Sequence, residues 1–472
     1  MKSQKTILLD VVVLLFLLLN FSLAEASKKQ TNSRSEFINT EQTLSILKKY
    51  GLDKSHVSLE IRDSHDQAIV DVQAKNKKIP ASVSKLLTTY AVLKKFPLGS
   101  KFLTQVYQDD KNLYLKGGGD PSFVSENMWY LVNQITRTSL KQISGDIIVD
   151  DSLFDEIRFD ESREDKRVDR AYDSPVGAMS FNWNAVNVFV KPTVAGQKAQ
   201  VVLDPENGYY DLVNQTETVH KIKKELIVTV SQEKKIITVS GDVQKSAPEK
   251  AIFKSVAEPD LWSGLNLQAF LKQRGILVKG KVRRGTVPPQ AELLASVESK
   301  NLSYILADMN KFSNNYVAEM LTKNLAAQSK KSKASLQEGV VIIQSCLKDL
   351  GLTVQDFEVY NPSGFTRNNQ LSAYALNKVL ISIKNDFKLF PTILESLPIA
   401  GIDGTLKKRM KNTEAEGLVR AKTGYLNGVV SIAGYAGRRD GEVLTFSFLY
   451  NGPRDETIVR EAFDQILISS LN

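Results

Sequence analysis

Ser82-Val83-Ser84-Lys85 sets a hydroxyl and an amine three residues apart, at the head of a segment rich in helix formers that runs to Lys95. In a helix that spacing puts both side chains on one face, about one turn apart. A serine needs a base to become a nucleophile. A lysine can serve if desolvation or a second cation lowers its pKa. At a helix start, backbone N–H groups and the helix dipole also favour developing negative charge. The spacing alone discriminates little. Ser45-Ile46-Leu47-Lys48 and Ser345-Cys346-Leu347-Lys348 share it, and a surface helix pair is the usual explanation. Two further triplets complement the dyad. Ser313-Asn314-Asn315 precedes a helical run. There Ser313 can relay a proton between Lys85 and a leaving group, and Asn315 can hold Lys85 and a substrate amide. Lys422-Thr423-Gly424 leads into an apolar strand. Lys422 can raise the local positive potential and depress the pKa of Lys85. With Thr423 it can bind a substrate carboxylate, and Gly424 lets substrate approach the strand closely. Taken singly, the second triplet reads as a helix N-cap and the third as a strand start. All three in this order, in the two outer segments of the chain, form a much more specific signal.

Composition removes most competitors. With three histidines, His56, His65 and His220, a three-histidine metal site is disfavoured and a Ser-His-Asp triad has few candidates. One cysteine, Cys346, excludes an intramolecular disulfide and a cysteine-built zinc site. Neither H-E-x-x-H nor G-x-S-x-G occurs. Residues 275–282 mimic a phosphate-binding loop, but Val282 stands where a Ser or Thr would hold magnesium, and the β-branched spacing suggests a strand. Neither a metal nor a cofactor is expected. The net charge of +9 comes from 62 basic and 53 acidic residues spread along the chain, which weakens a nucleic-acid reading.

The elements that must position these residues are legible in outline. Helical apolar spacing covers residues 37–50, and two strands, 57–61 and 68–72, follow. Between about 100 and 290 the pattern is of short strands and turns. Helices return from about 302, and a strand pair, 429–436 and 442–450, is followed by a last helix. The expected fold class is α+β, an antiparallel sheet covered by helices, built from the chain ends and split by a β-rich insertion.

The N-terminus reads as an export signal. Lys2 and Lys5 precede an apolar run over 11–19, and Ala24-Glu25-Ala26 is a small-x-small cleavage site. Residues 1–26 are therefore expected to be a signal peptide, and the chain to be exported. A periplasm is the compartment that fits best.

These residues carry a resemblance to a known family. The segments Pro80-Ala81-Ser82-Val83-Ser84-Lys85, Gly145-Asp146-Ile147-Ile148-Val149-Asp150, Met309-Asn310-Lys311-Phe312-Ser313-Asn314-Asn315, Leu397-Pro398-Ile399-Ala400-Gly401-Ile402-Asp403-Gly404-Thr405-Leu406 and Val419-Arg420-Ala421-Lys422-Thr423-Gly424 resemble the low-molecular-mass class C penicillin-binding proteins. These are the D-alanyl-D-alanine carboxypeptidase/endopeptidases of penicillin-binding protein 4 type. The resemblance implies a β-lactamase/transpeptidase-like catalytic domain over 37–97 and 290–472. An inserted β-rich domain would cover 98–180 and 250–289, with a third domain nested at 181–249. It implies Ser82 as the acylated nucleophile, Lys85 as its base, and Ser313 and Asn315 completing the proton path. Lys422 and Thr423 would hold the terminal carboxylate of D-Ala-D-Ala, and the N–H groups of Ser82 and Tyr425 would form an oxyanion hole. Asp150, Phe154, Arg367 and Asn427 would read the side chain of the stem peptide. The chain departs from the family pattern at three points. Asn314 stands where relatives often carry Asp, Asn361-Pro362-Ser363-Gly364-Phe365 where many carry Asp-Gly-Ser-Gly-Leu, and Tyr425 is bulky beside the oxyanion position.

The expected function is thus a serine D-Ala-D-Ala carboxypeptidase, a DD-endopeptidase, or both, acting on peptidoglycan stem peptides and inhibited by β-lactams. A β-lactamase and a non-catalytic wall-binding protein of the same fold are the alternatives. A second copy of the chain remains an open partner.

Overall fold

In the computed structural model, residues 38–163, 174–329 and 333–471 are described; the expected signal peptide lies outside them. The two ends of the chain meet in one five-stranded antiparallel sheet. Its order is Val419–Leu426, Val429–Gly437, Val443–Asn451, Val57–Arg62, Ala68–Val72. The join is the pairing of Val57 with Tyr450 through to Arg62 with Thr445. The central strands are apolar on both faces because both faces are covered. Val430, Ile432, Phe446 and Phe448 pack with Phe463 and Ile466 of the C-terminal helix Glu456–Ser470. Ala433, Tyr435 and Leu449 point the other way, into a larger helical layer. This alternation follows from the two-residue period of a strand.

The larger layer surrounds helix Lys85–Lys95, whose residues from Lys85 through Leu93 are all buried. A helix buried on every side lies inside a domain, and its polar members Lys85, Thr88 and Thr89 each have a hydrogen-bond partner there. Its neighbours are Asn315–Ala327, Leu336–Lys348 and Ala373–Lys384. The Lys85 amine is thereby held in the interior, at the helix end nearest the sheet edge.

The middle of the chain forms a second five-stranded sheet, ordered Val282–Arg284, Ile147–Asp150, Leu113–Lys116, Leu103–Gln108, Glu292–Glu298. Two three-stranded sheets follow. One joins Ile227–Ser231, Ile236–Gln244 and Asp211–Val219, the other Lys250–Ser255, Ala185–Lys191 and Gln200–Asp204. The pairing runs past the expected boundaries. Glu292–Glu298 pairs with Leu103–Gln108 beyond residue 290, and Lys250–Ser255 pairs with Ala185–Lys191 beyond residue 249. Two helices also stand where only short strands and turns are expected. Ser125–Thr136 buries Met128, Leu131, Val132 and Ile135, a plain helical stripe. Pro259–Gln273 is buried on several sides, so its sequence shows little amphipathic contrast. Among the described residues no helix is long and apolar enough to cross a membrane.

Candidate active site

Ser82 lies in the tight turn Ala81–Ser84, immediately before helix Lys85–Lys95. The turn is pinned to the sheet: Ser431 Oγ donates to the carbonyl of Pro80 at 2.6 Å. It is also pressed against the edge strand. A Cβ on Gly424 would sit 2.9 Å from Ser82 N and 2.7 Å from Pro80 O, so only glycine lets the turn lie there. On the other side, a Cβ on Gly364 would come within 1.9 Å of Ala81 O. Ala81 and Ser313 hold positive φ, 50° and 56°, an uncommon conformation for residues with a side chain.

Lys85 Nζ donates to Ser82 Oγ at 3.1 Å, to Asn315 Oδ1 at 2.7 Å and to the Ser363 carbonyl at 2.7 Å. Asn315 is the first residue of its helix. Asn314 caps that helix by accepting from Val317 N at 3.2 Å, so the amide found where an acid is common still does a cap's work. Lys422 is fully buried, and burial alone pulls its pKa down to about 7. Its Nζ donates to Ser313 Oγ at 2.9 Å and to Thr423 O at 2.6 Å. Ser82, Lys85, Ser313, Asn315 and Lys422 thus converge on one site from three separate segments.

The outer side of this edge strand pairs with no further named strand among the described residues. Ala421 N–H points away from the sheet, donating to Pro398 O at 3.0 Å. The two-residue period aims the N–H groups of Thr423 and Tyr425 the same way. The same alternation turns the Tyr425 ring away from the side of Gly424, and it lies under the Arg460 guanidinium, 5.0 Å from its centroid. Its bulk is therefore not where the sequence placed it. Thr423 Oγ1 shares a 2.7 Å hydrogen bond with Thr405 Oγ1.

The four expected side-chain-reading residues are not alike. Arg367 Nη2 donates to Asn427 O at 2.9 Å, and both residues are exposed. Asp150 is buried, and its carboxylate accepts from Ser152 N and Oγ at 3.0 and 2.6 Å and from Val287 N at 2.9 Å. It closes a turn at the end of its strand rather than offering a free acid. Phe154 is buried in the helical core. The acids that line the adjoining cleft, of about 280 Å³, are Asp155, Asp160, Glu161 and Glu319.

Sequence reasoning missed several neighbours. Thr405 and Ser363 stand in segments already singled out, so they were within reach. Glu319 sits one helical turn after Asn315, an acid in an apolar run, and a buried acid needs a partner. That partner, Arg163, donates to both of its oxygens, at 2.9 and 2.5 Å, from far away in the sequence.

The D-Ala-D-Ala carboxypeptidase 3 (S13) family model matches residues 40–469. A D-alanyl-D-alanine carboxypeptidase of Actinomadura sp. (strain R39) is 31% identical over 397 residues, 79% of this chain and 73% of that protein. D-alanyl-D-alanine carboxypeptidase DacB of Haemophilus influenzae is 26% identical over 409 residues, 82% of this chain and 84% of that protein. Among solved structures, penicillin binding protein 4 of Haemophilus influenzae superposes with a TM-score of 0.77 at 23% identity, covering 90% of this chain and 98% of that one, a likeness of fold. Both ends of the chain that build the catalytic sheet, and the insertion between them, fall within the matched span, and the chain belongs to the D-Ala-D-Ala carboxypeptidase 3 (S13) family.

Proposed function

We propose that the chain carries out the D-Ala-D-Ala carboxypeptidase reaction of its family on peptidoglycan stem peptides, through an acyl-enzyme on Ser82. Lys85 in its neutral form takes the Ser82 proton as Oγ attacks the penultimate D-Ala carbonyl. The N–H groups of Ser82 and Tyr425 receive the developing oxyanion. Ser313 relays the proton to the departing D-alanine amine, and Asn315 keeps Lys85 in place. Lys422 and Thr423, the latter steadied by Thr405, bind the terminal carboxylate. Water then cleaves the ester and restores Ser82. When the leaving amine belongs to a second stem's D-amino centre, the same steps cut a cross-link. Arg367 and Asn427, both exposed, would meet the stem side chain. Export through residues 1–26 to a periplasm would bring the enzyme to this substrate.

The observation that carries the reading is Lys85 Nζ, 3.1 Å from Ser82 Oγ and buried at the start of its helix. A positioned base contributes roughly 10²–10⁴ in rate. Intact mass after incubation with a penicillin tests it. A stable adduct of one drug, absent from Ser82→Ala and formed at least a hundredfold more slowly by Lys85→Ala, is expected. An adduct that persists in Ser82→Ala overturns the assignment. Rapid nitrocefin turnover without an adduct would indicate a β-lactamase instead. Binding to sacculi that survives Ser82→Ala, with no product released, would indicate a wall-binding protein.

A further inference from the structure

Asn361 is buried, and both ends of its side chain are engaged. Its Oδ1 accepts from Ser363 N at 2.9 Å, Ser363 Oγ at 2.6 Å and Gly364 N at 2.9 Å. Those bonds build the turn whose Ser363 carbonyl receives Lys85 Nζ. Its Nδ2 donates to Asp160 Oδ2. Asn369 grips the backbone of the same residue, accepting from Asn361 N at 3.0 Å and donating to Asn361 O at 2.7 Å.

Asp160 comes from the insertion and starts a turn of its own. It accepts from Ser162 N and Oγ at 3.0 and 2.9 Å, and its carbonyl accepts from Arg163 N at 3.2 Å. Arg163, at the end of that turn, is the partner of Glu319, one helical turn after Asn315. One short turn therefore supports two of the groups that receive Lys85 Nζ. It reaches Ser363 O through Asn361, and Asn315 through the helix that carries Glu319.

We propose that turn 160–163 of the insertion is a positioning element for Lys85, and that Asn361 must be an amide because Asp160 faces it. An acid at 361 could accept the same backbone N–H groups, which suits the relatives with Asp-Gly-Ser-Gly-Leu. Here it would oppose a second carboxylate, with no proton between them. Charged groups near the pair include Arg163 and Glu319 of the flanking bridge, Asp155, Arg158, Glu161 and Lys323 of the adjoining cleft, and the Lys85 amine across the Ser363 carbonyl. The proposal rests on Lys85 being the base.

The test measures the acylation rate constant and the preceding binding constant for a penicillin, with thermal melts of each variant. Asn361→Asp is expected to slow acylation tenfold or more, with a smaller change in binding, since coupled neighbours commonly interact strongly. Asp160→Asn should cost about two- to threefold, because an amide can still accept from Asn361. The double variant, Asp160→Asn with Asn361→Asp, reverses donor and acceptor and should recover to within about threefold of wild type. Asp160→Ala removes the partner without repulsion and should slow acylation severalfold, which keeps the proposal testable if Asn361→Asp alone does not fold. Wild-type acylation in Asn361→Asp or in Asp160→Ala overturns the proposal. So does a double variant as slow as Asn361→Asp. Wild-type acylation in Lys85→Ala would instead show that the assignment of the base has failed.

Discussion

Lys422 shows how one residue's surroundings set its chemistry. The sequence suggests that a second cation would act on Lys85. In the fold the clear shift falls on Lys422 itself, which burial holds at about 7 rather than its ordinary 10.5. A lysine whose folded pKa is lowered binds fewer protons folded than unfolded between those two values. Stability therefore rises with pH across that window. Below about 7 the buried amine is charged in both states and carries its full desolvation penalty. The slope from one such group is at most about 1.4 kcal/mol per pH unit. Lys422→Met removes it. Unfolding in urea at pH 7 and pH 9 should show the wild type gaining on Lys422→Met as pH rises. A difference that stays constant would mean that the ammonium is compensated in the fold. Gly424, two positions on, makes a purely steric contribution, since any Cβ there would meet the Ser82 turn.

Secondary-structure elements bring these residues together, and the sequence shows elements better than it shows their contacts. Strand Ala68–Val72 has the bounds that alternation predicts, strand Val57–Arg62 runs one residue beyond them, and helix Asn315–Ala327 begins at the last residue of the triplet expected to precede it. Helix Pro259–Gln273 was not legible, because burial on several sides erases the polar face that marks a helix. Asp150 misled for a related reason. Its role is implied only by position in a family-like segment, and its hydrogen bonds to Ser152 and Val287 cannot be read from spacing. The Arg163–Glu319 bridge was beyond the sequence altogether, since its partners are distant in the chain. Breaking a buried pair leaves an unpaired charge and costs about 3–5 kcal/mol. Arg163→Met should destabilise the protein by about that much. Burial already raises the Glu319 pKa, and Arg163 opposes the rise. Without the arginine, an acid with a raised folded pKa loses stability as pH climbs above its unfolded value. The defect should therefore be larger at pH 8 than at pH 5, and Glu319→Gln added to Arg163→Met should relieve part of it. Equal loss at both pH values would mean that removing Arg163 does not raise the Glu319 pKa further.

At the scale of the whole molecule, the insertion is joined to the catalytic part by apolar packing as well as by polar bridges. Phe102, Phe154, Val176 and Ala178 lie in the same buried cluster as Leu86, Tyr316 and Leu376. A second cluster joins the middle sheet, its two helices and the outer three-stranded sheets around Trp262 and Leu267. Tyr209 reinforces that second cluster, with its ring 5.6 Å from Trp262 and its hydroxyl 3.0 Å from Glu258 Oε2. The segment around residues 151–163 links the two cores. Lys323 Nζ donates to Asp155 and Asn324 Nδ2 to Gly119 O, at 2.5 and 2.7 Å, alongside the Arg163 bridge. Position then decides what a core defect does. Large-to-small changes at buried aromatics cost about 3–5 kcal/mol, depending on how far the site collapses. Phe154→Ala opens a space beneath the helix that carries Asn315 and beside the 151–163 segment. It should lower the melting temperature and slow penicillin acylation together. Trp262→Ala should lower stability comparably, yet acylate at nearly the wild-type rate well below its melting temperature, because its cluster does not reach Lys85. Equal slowing in both variants would show that the second core governs the site as much as the first, and that the insertion acts on catalysis as a whole rather than through one segment.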